Sequence, residues 1–432
     1  MHYISTRGDS PAVTLSEGLA AGLAPDGGLY VPRTLPAIDW SAAEADPSLA
    51  TVGRVLLGPF AAGDPLAEVL GEVVDDAYAP PAPVAATNDP RLHVLELFHG
   101  PTAAFKDFGA RFLAASLQRV LPEGAPTTIL VATSGDTGSA VAAAFHRRPG
   151  FRVVVLYPEG RVSPRQAHQL EAFGDNVVTL AVSGSFDDCQ AMVKTAFRDG
   201  ALRAEVRMTS ANSISLGRLL PQMVYHAATA LQVAARSGGP VGLVVPTGNL
   251  GNALAAWLAG ALGAPIHSVV LATNRNDVLV DWSRTGRFEA RTAIPTLANA
   301  MDVGLPSNLE RLRWFLDRGV QGPAIHAVSV DDERIRGMLA RAPERYGHVV
   351  CPHTACALEA YETVEACREG PWVAAATAHP AKFDEVVEPV IGEEVPLPAP
   401  LAALLARPRH AHPLQPTDAA LRTVLTRPLG LA

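Results

Sequence analysis

Short apolar, β-branched runs recur through the middle of the chain, and each is followed by a glycine-rich turn and then by an alanine- and leucine-rich stretch. The clearest example is TTILVATSGDTGSAVAAAF at residues 127–145. The same order occurs in FRVVVLYPEG, PVGLVVPTGNLGNALAAWLAG and IHSVVLATNRND. Continuous apolar strands that alternate with helices are typical of parallel sheets covered on both faces. The pattern therefore predicts an α/β protein.

The pattern changes at both ends of the chain. Residues 1–90 close with the proline-rich stretch AYAPPAPVAATNDP and are predicted to form a mostly helical N-terminal domain. Residues 401–432 follow a PLPAP segment and are predicted to be a C-terminal tail, either helical or loose. A chain of 432 residues exceeds the roughly 250 to 300 residues at which one hydrophobic core stops growing, so several domains are expected.

Composition narrows the range of partners. Hydrophobic residues make up 48% and charged residues 18% of the chain, and the net charge of -8 includes no basic run, so nucleic acid and anionic membrane surfaces are poor partners. The four cysteines show neither metal-ligand nor disulfide-framework spacing. The N-terminus has no signal pattern, and the most apolar segment, residues 253–266, is too short and glycine-rich to span a bilayer. We expect a soluble cytoplasmic protein without a metal site.

Two glycine-rich loops follow predicted strands at the edge where parallel sheets bind ligands. TGNLGN, residues 247–252, precedes a helical run, and glycines let an anion approach the unpaired amides of a helix N-terminus. This loop is a candidate phosphate cradle, although a tight turn capped by Asn249 or Asn252 would look the same. It lacks the Lys-Ser/Thr of a nucleotide P-loop and the GxGxxG spacing of a dinucleotide fold.

The second loop, TSGDTG at residues 133–138, adds side-chain hydroxyls to the backbone donors. Thr133, Ser134 and Thr137 supply these hydroxyls, which suit a carboxylate or a small polar substrate. The alternative is a polar capping turn without a ligand. Together the two loops indicate a small ligand that carries a phosphate, with an amino acid beside it.

Lys106 lies in HGPTAAFKDFG between Phe105 and Phe108. Taken alone, it would be a surface lysine at the start of a helix. A lysine desolvated by aromatic neighbours, however, loses part of its preference for the charged form and can attack an aldehyde. A phosphate cradle combined with such an amine predicts pyridoxal phosphate as the cofactor.

Seven motifs, in order, resemble those of a known family: LELFHGPTAAFKDFG, VATSGDTGSAVAAAF, SANSISLGRLLPQ, VPTGNLGN, ATNRND, LANAMDVGLPSNLERL and TAHPAKF. They are similar to the threonine synthases, in the group with a long N-terminal extension among the tryptophan-synthase-β-like, fold type II pyridoxal-phosphate enzymes. The resemblance covers nearly the whole chain. It implies two open parallel-sheet domains with the coenzyme in the cleft between them. The large domain is expected from residues 91–120 and 236–400, and the smaller one, which carries TSGDTG, from residues 121–235.

The resemblance implies a lyase of threonine biosynthesis that converts O-phospho-L-homoserine and water to L-threonine and phosphate, by γ-elimination and then β-addition of water. Lys106 matches the catalytic lysine that forms a Schiff base with the coenzyme. The other implied coenzyme contacts are Asp136, Gly248, Asn249, Leu250, Gly251, Asn252 and Thr377. The implied substrate contacts are Ser134, Gly135 and Thr137 near the carboxylate, and Asn212, Ser213 and Arg218 at the phosphate.

The sequence leaves several alternatives open. A serine or threonine dehydratase or a cysteine synthase of the same class would need no site for a substrate phosphate. A non-catalytic phosphoamino-acid-binding homologue would keep the fold without the reaction. Asp136 stands where the wider class often has asparagine, and the sequence does not decide its protonation state. His99, His353 and His379 are interpreted as structural hydrogen-bonding groups rather than proton carriers, and a monomer and a homodimer are both compatible with the sequence.

Overall fold

The computed structural model describes residues 1–122, 124, 126–133 and 135–427. These residues form two β-sheets flanked by helices and a small two-stranded antiparallel sheet near the N-terminus. The strands are β1 Tyr3–Ser5, β2 Tyr30–Pro32, β3 Val84–Ala86, β4 Leu92–Glu96, β5 Thr127–Ala132, β6 Phe151–Pro158, β7 Val177–Val182, β8 Met208–Ser210, β9 Val241–Pro246, β10 Ile266–Thr273, β11 Ala324–Ser329, β12 Trp372–Ala376 and β13 His412–Leu414.

Helices cover both faces of each sheet. The α-helices are α1 Leu15–Ala21, α2 Ser41–Ala45, α3 Leu49–Leu57, α4 Leu66–Ala77, α5 Lys106–Val120, α6 Asp136–Phe145, α7 Pro164–Glu171, α8 Phe186–Arg198, α9 Gly200–Glu205, α10 Leu216–Leu219, α11 Gln222–Ser237, α12 Gly251–Ala261, α13 Val278–Thr285, α14 Leu309–Leu316, α15 Asp332–Tyr346, α16 Pro352–Thr363, α17 Asp384–Ile391, α18 Ala399–Leu405 and α19 Asp418–Thr426. Short 3-10 helices lie at Pro59–Ala61, Asn299–Met301, Glu365–Arg368 and Pro380–Phe383.

The larger sheet has six strands in the order β11-β10-β9-β12-β4-β3. All its neighbouring strands are parallel except β3, which pairs antiparallel with β4. Every residue of β9 and β12 is buried, as expected for central parallel strands. Gly242 on β9 pairs with Trp372 on β12, and a Cβ at Gly242 would collide with the indole ring. The glycine therefore makes room for one of the largest buried side chains of the core.

The smaller sheet has five strands in the order β13-β7-β6-β5-β8, all parallel. The predicted parallel α/β architecture is confirmed in both sheets. The tail adds a feature that the sequence did not predict, because β13 pairs with β7 at the sheet edge and is followed by α19. Arg152 of β6 donates to the carbonyls of Leu425 and Arg427 and so holds the end of α19 against the sheet. A three-residue strand that contains a proline has no periodic signature by which it could be found.

The N-terminal helices pack against helices α5 and α11. Helix α3 contacts α11, α4 contacts α5, and the Tyr78 hydroxyl donates to the carbonyl of Pro221 at 2.7 Å. Residues 84–86, within the range expected for the N-terminal domain, instead form strand β3 of the larger sheet. The helical unit therefore braces α5, the helix that begins at Lys106.

Candidate active site

The carboxyl ends of the two sheets open into one cleft of about 2290 Å³. The loops that follow β5, β9 and β12 all contribute to its wall. The predicted site residues that line the cleft are Lys106, Asp136, Thr137, Asn212, Ser213, Arg218, Gly248, Asn249, Leu250, Gly251, Asn252 and Thr377. Gly135 is buried behind the wall, with a positive φ of 141°. Ser134 lies outside the described residues.

The backbone before Lys106 is fixed to the chain segment that leaves β12. The Phe105 amide donates to the Thr377 carbonyl at 2.9 Å, and the His379 amide donates to the Ala103 carbonyl at 3.1 Å. Ala103 adopts the left-handed region with a φ of 53°, which turns the chain into α5. These contacts place Lys106 and Thr377, which are distant in sequence, on the same part of the cleft wall.

The Lys106 amine lies in a mostly buried setting. Its side chain is 17% exposed, its Nζ is 4.0 Å from Asp136 Oδ2, and it lies 5.7 Å from the centre of the Phe105 ring. Burial lowers the pKa of Lys106, and the positive charges of Arg218 and Lys382 lower it further, although Asp136 opposes them. A larger neutral fraction makes this amine a better nucleophile near neutral pH.

The loop TGNLGN forms a cradle of neutral groups at the N-terminus of α12. Leu250 adopts a left-handed conformation with a φ of 63°, and the first turn of α12 contains no acidic residue. A Cβ at Gly248 would lie 2.6 Å from the Met301 Cα. The Asn249 carbonyl accepts from Asn308 Nδ2 at 3.2 Å, and the Asn249 side chain accepts from the Ser307 amide at 2.5 Å. The loop is thus held on two sides, and its amides between Gly248 and Gly251 have no backbone acceptor among the described residues, so they can bind an anion.

Asn252 lies on the buried side of the cradle. Its Oδ1 accepts from the Tyr225 hydroxyl at 3.0 Å and contacts His226 Nε2 at 2.6 Å. Burial lowers the pKa of His226 to about 4, so this ring is neutral at physiological pH. Asn252 Nδ2 is buried without a hydrogen-bond partner in the described part of the chain. An unused buried donor beside free helix amides fits a bound phosphate.

The contact between Asp136 and Lys382 was not predicted from the sequence. Lys382 is completely buried, with its Nζ 2.8 Å from Asp136 Oδ1 and 2.7 Å from the Thr102 carbonyl. Gln166 Nε2 also donates to Asp136, at 3.2 Å. Burial alone would raise the pKa of Asp136, but Lys382 and then Lys106 outweigh it and hold that pKa below the usual range. Asp136 is therefore ionised, which answers the question that the sequence left open.

Arg218 is a buried cation without an ion-pair partner among the described residues. One guanidinium nitrogen donates to the Ala211 carbonyl at 2.6 Å, while Nε has no partner there. Burial lowers its pKa to about 10, so the group stays charged. Asn212 Oδ1 is likewise buried and unpartnered, and Ser213 contacts the Asn249 side chain of the cradle. A buried, unpaired guanidinium that lines a cleft fits an anionic ligand group.

The three motif histidines make local contacts. His353 Nε2 accepts from the Ala300 amide at 3.1 Å, and His379 Nδ1 accepts from the Ala381 amide at 3.2 Å. His99 contacts Glu96 at 2.7 Å near the surface. Among the described residues no group of three or more metal-ligating side chains is assembled, and no helix there has the length and apolarity needed to cross a membrane.

Comparison with known proteins identifies the class first. The family of pyridoxal-phosphate dependent enzymes matches residues 82–376, which include both sheets' central strands and most of the cleft wall. A solved structure of threonine synthase from Brucella melitensis with bound pyridoxal phosphate superposes with a TM-score of 0.91, at 34% identity over 99% of both chains. The fold and the cleft are thus those of a pyridoxal-phosphate dependent enzyme, as predicted.

Further matches identify the particular family. The models for the threonine synthase N terminus and C-terminal region match residues 2–78 and 354–424. Threonine synthase from Escherichia coli (strain K12) is 38% identical over 98% of this chain and 99% of its own length, and the Saccharomyces cerevisiae enzyme is 33% identical over 89% and 88%. The chain belongs to the threonine synthase family. The family membership, fold class and coenzyme expected from the sequence are confirmed.

Proposed function

We propose that this chain converts O-phospho-L-homoserine and water to L-threonine and inorganic phosphate. One juxtaposition supports this proposal most strongly. Arg218, a buried guanidinium that has no counter-ion in the described part of the chain, lines the same cleft as the neutral cradle and the partly desolvated amine of Lys106. A dehydratase or a cysteine synthase needs no site for a substrate phosphate beside its site for the substrate carboxylate, whereas an enzyme whose substrate carries its own phosphate does.

The residues that would hold the coenzyme are Lys106, Asp136, Thr377 and the cradle Gly248–Asn252. The coenzyme, when bound, supplies the electron sink that makes the substrate's carbon acids reactive. The cradle amides and Asn252 would bind its phosphate. Thr377 would offer the coenzyme a neutral hydroxyl rather than a carboxylate, which would disfavour transamination as a side reaction.

Lys106 acts as the general base and acid in this proposal. Over the whole reaction its amine removes one proton from the substrate Cα and one from Cβ, as the bond between Cγ and the phosphate oxygen breaks, and it returns one proton to Cγ and one to Cα. Water adds its hydroxyl at Cβ, and the remaining proton of that water goes to the departing phosphate. One amine that serves three neighbouring carbons keeps all the proton transfers on one face of the substrate.

Two groups of residues orient the substrate. Arg218, Asn212 and Ser213 would bind the substrate phosphate and stabilise it as it leaves as a dianion, because a guanidinium with side-chain donors gives charge-assisted hydrogen bonds. The 133–138 loop, through Ser134, Gly135 and Thr137, would bind the substrate carboxylate. The small-molecule substrate is enclosed between two domains, for which we propose residues 91–120 with 236–400 and residues 121–235. A cytoplasmic location and a monomeric or homodimeric state complete the proposal.

Product analysis tests the reaction directly. The protein loaded with pyridoxal phosphate is incubated with O-phospho-L-homoserine and followed by ¹H and ³¹P NMR, and equal amounts of threonine and inorganic phosphate are expected. Unchanged phosphohomoserine, with the coenzyme demonstrably bound, would indicate a non-catalytic homologue. If the protein converted serine or threonine to a keto acid faster than it converted phosphohomoserine, that result would indicate a dehydratase.

The role of Arg218 is tested with Arg218→Gln, and the exposed Arg236 on α11 provides the matched control Arg236→Gln. Loss of charge-assisted contacts to a dianion should lower kcat/KM for phosphohomoserine by roughly 10²-fold. The kcat/KM of the control variant should stay within about twofold of the value for the unmodified protein, because Arg236 lies at the surface. Equal values for both variants would remove Arg218 from the substrate site.

A further inference from the structure

Lysine is rare in this chain and is concentrated at the cleft. The sequence contains three lysines, Lys106, Lys194 and Lys382, against 32 arginines. Lys106 and Lys194 line the cleft, and Lys382 contacts the same carboxylate as Lys106. Arginine supplies a permanent, spread-out charge, whereas lysine supplies a compact ammonium on a flexible stem. In a chain that otherwise uses arginine, a second buried lysine beside the reactive one needs an explanation.

The two amines share one carboxylate unequally. Lys382 Nζ is 2.8 Å from Asp136 Oδ1, and Lys106 Nζ is 4.0 Å from Oδ2. Lys382 belongs to the 3-10 helix Pro380–Phe383 beside the larger sheet, and its donation to the Thr102 carbonyl fixes its position. Asp136 begins α6 beside the smaller sheet. The direct ion pair therefore joins the two halves of the cleft within a few ångströms of the reactive amine.

The other charged and titratable groups near Lys106 do not replace Lys382 as the direct ion-pair partner of Asp136. Arg218 is cationic, and His353 from α16 is neutral, because burial lowers the pKa of that ring to about 4. Without Lys382, the ammonium of Lys106 would be the remaining close cation for a buried carboxylate. A buried carboxylate attracts its nearest cation strongly, and an amine held in that way stays protonated and cannot attack an aldehyde.

Resting on the proposed function, we propose that Lys382 is a positioning residue for Lys106: its direct ion pair occupies the Asp136 carboxylate and leaves the Lys106 amine free to react with the coenzyme. The coenzyme's aldehyde would then meet an amine without a tight counter-ion. Lys382 itself does not touch the reacting atoms in this scheme.

The test measures the amine itself instead of turnover. Full-length protein, before the coenzyme is added, is labelled with trace 1-fluoro-2,4-dinitrobenzene from pH 6 to pH 11, with Nα-acetyl-lysine as a common reference amine. Peptide mapping by mass spectrometry then gives the pH midpoint of labelling at Lys106. In the unmodified protein this midpoint is expected below that of the reference amine.

Lys382→Met should raise the Lys106 midpoint by about one pH unit, which lowers labelling near pH 8 about tenfold. Asp136→Asn should shift the midpoint in the opposite direction. The double variant Asp136→Asn/Lys382→Met should return close to the original value, because one positive and one negative charge are removed together. The matched control is Lys194→Met, which removes a cleft-lining lysine that does not contact Asp136 and should leave the Lys106 midpoint unchanged.

The outcomes separate this inference from the proposed function. If Lys382→Met fails to fold, Asp136→Asn and the double variant still decide, since a purely structural ion pair would leave the Lys106 midpoint where it was. Unchanged midpoints in a protein that makes threonine overturn the role of Lys382 alone. A protein that makes no threonine, but shows the predicted shifts, overturns the proposed function and keeps the electrostatic arrangement.

Discussion

Two glycine loops lie on opposite walls of the cleft, and they work by different physical means. The 247–252 loop, on the larger sheet, uses backbone amides and neutral side chains held by Ser307 and Asn308. The 133–138 loop, on the smaller sheet, carries the ionised carboxylate of Asp136, paired with Lys382. One loop is suited to bind an anion through geometry, and the other is suited to adjust the charge on an amine.

Because of this difference, the two loops should tolerate different substitutions. A backbone cradle depends on close approach, so it should be sensitive to an added Cβ and insensitive to charge. A buried ion pair depends on both partners, so it should be sensitive to the removal of one charge and much less sensitive to the removal of both. Substitutions in and behind the two loops test these opposite sensitivities.

The largest expected effect concerns the charged loop. Asp136→Asn or Lys382→Met alone leaves one buried charge without its partner and should lower the free energy of unfolding by about 3 to 5 kcal/mol. The double variant should cost far less than the sum of the two single changes, which urea denaturation of the four proteins would measure as a coupling energy. In the neutral loop, Asn249→Ala removes hydrogen bonds between uncharged groups and should cost about 1 kcal/mol. If the losses in free energy of unfolding from the two single changes at Asp136 and Lys382 simply added in the double variant, that result would contradict the proposed difference between the two loops.

The next effect concerns the neutral loop. In Gly248→Ala the new Cβ would lie 2.6 Å from the Met301 Cα, which is backbone and cannot move aside. The cradle must shift, and we expect the affinity for pyridoxal phosphate to fall by about 10²-fold, measured by fluorescence titration. The matched control is Gly251→Ala, whose Cβ would lie 3.4 Å from the flexible Asn308 side chain. Similar affinities for the two variants would show that close approach at Gly248 is not what binds the phosphate.

The smallest effect comes from a titratable group behind the neutral loop. Asp302 follows Met301 and accepts from Asn274 Nδ2 and Thr296 Oγ1, both at 2.7 Å. Burial raises the pKa of Asp302 to about 6, although these hydrogen bonds oppose the shift. A carboxyl whose folded pKa is raised contributes its stability at low pH and loses it as the pH rises through about 6.

After a discount for its partial exposure, we expect the free energy of unfolding to fall by about 1 to 2 kcal/mol between pH 4 and pH 7 because of Asp302. Asp302→Asn should remove this part of the pH dependence, measured as the difference between the urea midpoints of the two proteins across that range. Parallel pH profiles for the two proteins would show that Asp302 does not titrate with a raised pKa.

The sequence predicted the parts of the site that follow from local patterns. Strand, glycine loop and helix succeed one another along the chain, so the α/β fold and the placement of TGNLGN and TSGDTG at the sheet edges could be predicted. The motif around Lys106 indicated a partly apolar setting, and the side chain is indeed mostly buried. Strand β13 carries no periodic signal, and its place beside β7 was not predicted.

Contacts between distant segments were the part that sequence reasoning could not reach. Asp136 and Lys382 are 246 positions apart and meet only because two separate sheets form one cleft. No spacing rule links such positions in a single sequence. The rarity of lysine was a usable signal for this contact. The chain has three lysines against 32 arginines, and Lys382 is one of the three.

Borohydride reduction of the protein loaded with pyridoxal phosphate tests the central claim most directly. Reduction fixes the coenzyme to the amine with which it has reacted, and peptide mapping distinguishes the chain's three lysines. We predict a coenzyme-derived mass on Lys106 and none on Lys194 or Lys382. A label on either of those two residues, or no label in a protein that holds the coenzyme, would contradict the assignment of Lys106 as the reactive amine.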